Sequence, residues 1–131
     1  MMHEDLKFSA DHEWVRKEGK RAVIGITDFA QEALGDIVFI ELPETAAELS
    51  VEDEITEIES TKTTSPVLSP VSGRLVEVNQ ELAERPEMIN EDPYGAGWIA
   101  VVEMSDPSEL DNLMNQKEYD EFIREEQEEE E

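Results

Sequence analysis

The chain has 131 residues, with 35 Asp plus Glu against 10 Lys plus Arg, a formal net charge of −25 and no cysteine. That length makes one domain able to bury its own core. The charge leaves no basic patch for a nucleic-acid backbone. Without cysteine there is no disulfide, thiolate nucleophile, Cys-ligated zinc or iron–sulfur cluster.

Self-repulsion of this size destabilises a compact state, and salt relieves it by shortening the screening length to about 3 Å at 1 M. The acids are spread through every segment rather than gathered in one block. That favours a surface adapted to a salty, halophilic cytoplasm over a single acidic face that binds basic partners. Met1 to Leu6 has neither a basic region nor an apolar stretch, and no apolar run is long enough to span a bilayer. The expectation is a cytoplasmic monomer with no membrane partner.

Glu13 to Lys17 reads as a short strand, Glu18 to Lys20 as a turn, and Arg21 to Thr27 as a second strand. Asp28 is the expected N-cap of a helix over Phe29 to Leu34, with Gln31 completing a capping box and Gly35 stopping it. Asp36 to Leu42 is an apolar strand ended by Pro43, and Glu44 to Asp53 reads as loop. Glu54 to Glu59 suits an edge strand with one wet face, and Ser60 to Ser65 is a turn. Pro66 to Val71 is extended, but its prolines argue against a central strand. After Ser72-Gly73, Arg74 to Asn79 has the period of a strand, Met88 to Gly97 reads as loop, and Trp98 to Met104 as a late strand. Asp106 then caps a helix, with Pro107 at its first position and Glu109 closing a capping box. Leu110, Leu113 and Met114 form its buried stripe. Tyr119, Phe122 and Ile123 mark a second helix after a break near Asn115-Gln116. Residues 1–124 form the expected single domain, and the glutamate run of 125–131 an acidic disordered tail. Short strands, regular turns and a helical end imply a mainly β sandwich or flattened barrel with helical additions.

Enzyme signatures are sparse. The two histidines, His3 and His12, have no metal-ligand spacing and no partner set for a nucleophilic triad. Gly95-Ala96-Gly97 lacks the third glycine of a dinucleotide loop, and no segment has calcium-loop spacing. No catalytic residue and no metal site are expected. The informative residue is Lys62, the sole Lys or Arg between Arg21 and Arg74. It sits in Glu59-Ser60-Thr61-Lys62-Thr63-Thr64, at the expected tip of a hairpin. A solvated loop lysine is the ordinary explanation. A lysine presented for covalent modification is the sharper one. A carrier arm needs an exposed root and a stiff turn, and the β-branched Thr61, Thr63 and Thr64 favour extended backbone on both sides.

The motifs around this hairpin are ordered along the chain. They include His12-Glu13-Trp14-Val15, Gly25-Ile26-Thr27-Asp28, Leu34-Gly35-Asp36 and Val38-Phe39-Ile40-Glu41-Leu42-Pro43. Glu59-Ser60-Thr61-Lys62, Pro70-Val71-Ser72-Gly73, Asp92-Pro93-Tyr94-Gly95 and Ser105-Asp106-Pro107 follow. In combination the chain, from Leu6 to Phe122, resembles the H-protein family of the glycine cleavage system, the lipoyl carriers.

The resemblance implies a lipoyl/biotinyl-type barrel-sandwich hybrid of two antiparallel sheets, and a carrier rather than an enzyme. It implies lipoic acid joined by an amide to Lys62, on an attachment loop of Glu59, Ser60, Thr61 and Thr63. It also implies contact of the loaded arm with Glu13. Gly73, eleven residues after Lys62, would answer a turn requirement, and Trp14 and Trp98 would be core. The implied partners are a pyridoxal-phosphate glycine decarboxylase, a tetrahydrofolate-dependent aminomethyltransferase, a dihydrolipoyl dehydrogenase using FAD and NAD, and the lipoate-attaching enzyme. Pro66 replaces a frequent acid of the family, Leu68 a frequent aromatic and Ala33 an occasional histidine, which touches how the arm is sheltered.

Four other readings remain open at this point. A lipoyl domain of a 2-oxo acid dehydrogenase would lack the early helix and helical end. A biotin carrier would flank its lysine with methionines rather than threonines. An H-like lipoyl-relay donor keeps the fold but changes the task. A plain acidic interaction protein, with Lys62 incidental, is the reading from outside the carriers. If the charge is an adaptation to salt, the melting temperature should rise between low and molar salt. A melt indifferent to salt contradicts that origin.

Overall fold

In this computed structural model the described residues are 6–129. His3 and the reading of the N-terminal residues 1–5 lie outside them, as do the last two glutamates. In chain order the elements are β1 (Leu6–Phe8), β2 (Glu13–Glu18), β3 (Arg21–Ile26), α1 (Asp28–Leu34), β4 (Ile37–Ile40), β5 (Glu48–Leu49) and β6 (Glu54–Ser60). Then come β7 (Thr64–Leu68), β8 (Gly73–Val78), a 3-10 helix (Gln80–Ala83), α2 (Met88–Glu91), β9 (Ala100–Met104), a second 3-10 helix (Pro107–Asn112) and α3 (Gln116–Glu129).

The strands form two antiparallel sheets, one ordered β1-β2-β3-β9-β8-β5 and the other β4-β6-β7. The mainly β expectation therefore holds. Alternation explains the layering. Val15, Ala22, Ile24 and Ile26 share one core with Ile40, Ile58 and Val67 of the smaller sheet. The residues between them, Trp14 and Val23, belong to a second cluster with Val101, Phe8 and Tyr119. Tyr119 brings α3 onto that outer face, its ring stacked on Phe8 at 4.6 Å. Each large apolar side chain buried this way contributes on the order of 2 kcal/mol against charge repulsion.

Several local expectations are corrected. The N-cap of α1 is Thr27, whose hydroxyl accepts the Ala30 N–H at 3.2 Å. Asp28 lies inside the first turn and takes the Gln31 side-chain amide at 2.8 Å. The threonine one residue earlier already has the extended backbone an N-cap needs. Gly35 ends the helix as expected, with φ 83° and its N–H on the Gln31 carbonyl. Glu54 to Ser60 is the central strand of its sheet, because β4 pairs on its far side. The edge is β7, where the missing Pro66 N–H leaves no ladder bond unmade. The stretch read as loop before it contains β5, paired to β8, and the loop of Met88 to Gly97 contains α2.

Asp106 does cap, accepting the Ser108 N–H, but the helix is 3-10. Glu109 closes no capping box; its carboxylate accepts the Ser72 N–H at 2.6 Å and the Ser72 hydroxyl at 2.8 Å. Gly73 opens β8 rather than serving a turn, and a Cβ there would overlap the Glu103 carbonyl. The glutamate run expected to be disordered from 125 is helical through Glu129. Glutamate is a good helix former, and Phe122, Ile123 and a His12–Glu126 contact of 3.1 Å hold the helix down. No helix among the described residues is long and apolar enough to cross a membrane.

Candidate functional site

β6 and β7 leave Thr61, Lys62 and Thr63 as their connection. Ser60, the last residue of β6, clamps it. Its N–H donates to the Thr63 carbonyl at 2.8 Å, and its hydroxyl accepts the Lys62 and Thr63 N–H groups, each at 3.1 Å. The same hydroxyl lies 3.1 Å from the Thr63 carbonyl, to which it donates. Serine favours this local bonding because its short side chain reaches backbone groups two and three residues on. The Thr61 N–H donates to the Asp36 carbonyl at 3.0 Å and ties the turn to the corner between α1 and β4.

Asn90, from α2, rivets that corner. It accepts the Ile37 N–H and donates to the Gly35 carbonyl and the Gln31 side chain, all at 2.9 Å. Lys62 is exposed, and its stem runs over Gly35. A Cβ at Gly35 would stand 3.4 Å from Lys62 Cε and 3.5 Å from Cδ, ordinary contact distances, so the stem packs against this corner, and it is the φ of 83° that asks for glycine there. An exposed primary amine, a held turn and a packed stem fit a covalently attached arm.

Beside the root, α1 and β7 wall a cleft of about 150 Å3 lined in part by His12, Glu13, Phe29, Ala33 and Pro66. Glu13, the first residue of β2, is only 2% exposed. Its Oε1 accepts the Ser9 hydroxyl at 2.6 Å and its Oε2 the Leu68 N–H at 3.2 Å. Burial raises its carboxyl from 4.5 to about 7; the two hydrogen bonds pull the other way, and the negative charges of Asp11 and Glu52 add to the rise.

A family model described as Glycine cleavage H-protein matches residues 6–126. The chain belongs to the glycine cleavage H-protein family. It is similar to the glycine cleavage system H protein of Symbiobacterium thermophilum, 52% identical over 121 residues covering 92% of this chain and 94% of that one. It is 54% identical over 123 residues to that of Coprothermobacter proteolyticus, covering 93% and 97%. Among solved structures, a crystal structure of a glycine cleavage system H protein from Mycobacterium marinum superposes with TM-score 0.80 at 38% identity, covering 90% and 95%.

Within this family fold, the loop residues Glu59, Ser60, Thr61 and Thr63 surround Lys62, with Glu59 exposed. Glu13 lines the cleft but is far more buried than an edge residue. Of the departures from the family pattern, Pro66 and Ala33 both face the cleft, and Leu68 acts through its backbone N–H on Glu13. Trp14 is core, fully buried with its Nε1 donating to the Pro93 carbonyl at 2.9 Å. Trp98 packs half-buried on the outer cluster.

Two contributions escaped sequence reasoning. Asn90 is part of the family resemblance, but it stands in a stretch that reads as loop, and the three hydrogen bonds it makes there have no local signature. His12 has φ 68°, a left-handed backbone rare outside glycine. Its Nδ1 lies 2.8 Å from the Tyr119 hydroxyl, which lies 2.7 Å from the Thr27 hydroxyl. This links α3 to the N-cap of α1 and to the cleft wall. Burial pushes the Tyr119 hydroxyl well above its ordinary value, so it stays protonated. No group of metal-binding side chains occurs among the described residues.

An acid whose folded pKa is raised opposes folding once the unfolded chain ionises. For Glu13 the penalty is absent below pH 4.5, grows through about pH 7 and then stays constant, at about 3 kcal/mol. Glu13→Gln preserves an acceptor for Leu68 and a hydrogen bond to Ser9 while removing the titration. The melting temperature of the variant relative to the parent should climb from pH 4.5 to 7 and then level. A difference constant across that range contradicts the raised carboxyl.

Proposed function

We propose that this chain is the lipoyl-carrying shuttle of a glycine cleavage system, with lipoic acid joined through an amide to the Lys62 amine. The observation that carries the reading is the Lys62 stem lying over Gly35 on a turn clamped by Ser60 and tied to Asp36. The end-to-end match to H proteins, α1 and most of α3 included, favours this over a lipoyl domain of another dehydrogenase or a relay donor.

The chain itself turns nothing over. When attached, the lipoyl group supplies a redox-active pair of sulfurs that can hold an aminomethyl cargo. Lys62 supplies the anchor and loses its charge in the amide. The stem and arm together reach on the order of 10 Å or more, so a held turn leaves the arm as the moving part. Tethering raises the effective concentration of cargo at each partner. Glycine decarboxylase, with pyridoxal phosphate, loads the carrier. Aminomethyltransferase, with tetrahydrofolate, unloads it. Dihydrolipoyl dehydrogenase, with FAD and NAD, restores the disulfide, and a lipoate-attaching enzyme installs the arm.

Glu13 gives the cleft a preference for a cation. Its carboxyl is held near neutrality by burial, so an ammonium group arriving in the cleft lowers its pKa and draws it into the charged form. The cleft walls exclude water from what rests there. The cytoplasm is the compartment this reading assigns.

Intact-mass analysis of protein from its native host should find one lipoyl increment, mapping to Lys62. Lys62→Arg should abolish glycine–bicarbonate exchange with the decarboxylase and leave the melting temperature unchanged. Native protein bare at Lys62, or exchange unimpaired in the variant, would overturn the assignment.

A further inference from the structure

Val38 and Phe39 are sequence neighbours, yet they are 54% and 51% exposed. Successive strand residues normally face opposite sides. Here burial along Ile37–Ile40 runs in, out, out, in, because the pairing of β4 with β6 slips between Ile37 and Phe39. β4 is also an edge of its sheet. Two large apolar side chains together on an edge strand invite aggregation unless something uses them. Bulges concentrate beside functional residues, where they re-aim side chains.

The placement is specific. Ile37 pairs with Ser60 and Phe39 with Glu59, and the Asp36 carbonyl holds the Thr61 N–H. The apolar pair and the lysine turn therefore share one backbone frame. Among the described residues the other large exposed apolar side chain, Val51, precedes the far end of β6.

Charge and reach narrow the occupant. Exposed Glu41, just past β4, and Glu57 and Glu59, on β6, flank the pair. A second copy would bring the same acids and another charge of −25, whereas an apolar slot rimmed by Lys and Arg is complementary. An enzyme that acylates the Lys62 amine must bring its catalytic centre to within about 6 Å of the turn backbone, the length of a lysine stem. Its footprint then falls on the base of the turn. Enzymes that act on the far end of the arm need not touch that base.

We propose that the Val38–Phe39 bulge is the docking site by which the lipoate-attaching enzyme seats on the unmodified chain, its apolar slot taking Phe39 and its basic rim meeting Glu41, Glu57 and Glu59. The proposal rests on the carrier reading of Lys62.

The test is the rate of lipoylation of the unmodified chain by the purified attaching enzyme. Phe39→Ser should lower kcat/KM roughly tenfold or more, mainly through KM, while Val51→Ser stays close to the parent. Driven to completion with excess enzyme, loaded Phe39→Ser should be reduced by dihydrolipoyl dehydrogenase and NADH, the reverse of its direction in the cycle, as fast as the loaded parent, and a melting temperature equal to the parent's certifies its fold. Equal lipoylation rates for Phe39→Ser and the parent overturn the proposal. So does an equal loss in Val51→Ser, or slow reduction of the loaded Phe39 variant. A parent dimer that Phe39→Ser dissolves, with lipoylation unaffected, assigns the patch to self-association instead. A parent that takes no lipoyl group at Lys62 refutes the carrier reading itself.

Discussion

One backbone hydrogen bond governs the Lys62 turn: the Thr61 N–H on the Asp36 carbonyl, 3.0 Å. A hairpin tip standing alone is a weakly held structure. This bond ties the tip to the corner where α1 gives way to β4, and Asn90 braces that corner with three hydrogen bonds of its own. Gly35 completes the arrangement from the same corner, since its φ of 83° ends α1 where the Lys62 stem lies against it. The turn, the helix end and the first strand of the small sheet thus act as one rigid mount. Motion is left to the side chain and whatever it carries.

The electrostatics of the cleft follow from the same economy of cations. Among the described residues the arginine ion pairs are Arg16–Glu18 and Arg85–Glu87, His12 lies 3.1 Å from Glu126, and none of these touches Glu13. Its carboxylate is satisfied instead by neutral donors, Ser9 and Leu68, while Asp11 and Glu52 repel it. A group so placed stabilises an incoming cation more than water-exposed acids do, because screening is weaker where solvent is excluded. The many surface acids give solubility and a field; the buried one is the acid that lines the cleft.

Much of this was legible in the sequence, and the reasons differ from residue to residue. Lys62 stood out because basic residues are scarce, and Gly35 because a glycine after an apolar helical stretch is a strong stop signal. Short strands and regular turns announced a mainly β sandwich or barrel, β8 by its period of two, while the division into two antiparallel sheets came with the family resemblance. Which strand lies at an edge could not be read, because β6 alternates in the same way whether or not β4 pairs with it. The N-cap slipped by one residue because Thr27 and Asp28 are both good caps and only geometry chooses. Glu109 matched a capping box by spacing, yet a partner 37 residues away took its carboxylate. The burial of Glu13 and the link of Tyr119 to Thr27, 92 residues apart, carry no local signature at all.

The central claim is that the Lys62 turn is fixed and only what it presents moves. Backbone amide relaxation of Thr61, Lys62 and Thr63 measures this directly. A fixed turn predicts order parameters near those of β6 and β7, about 0.85. Values below roughly 0.6 at these three amides would mean that the loop itself swings, and the account of a rigid mount would be wrong.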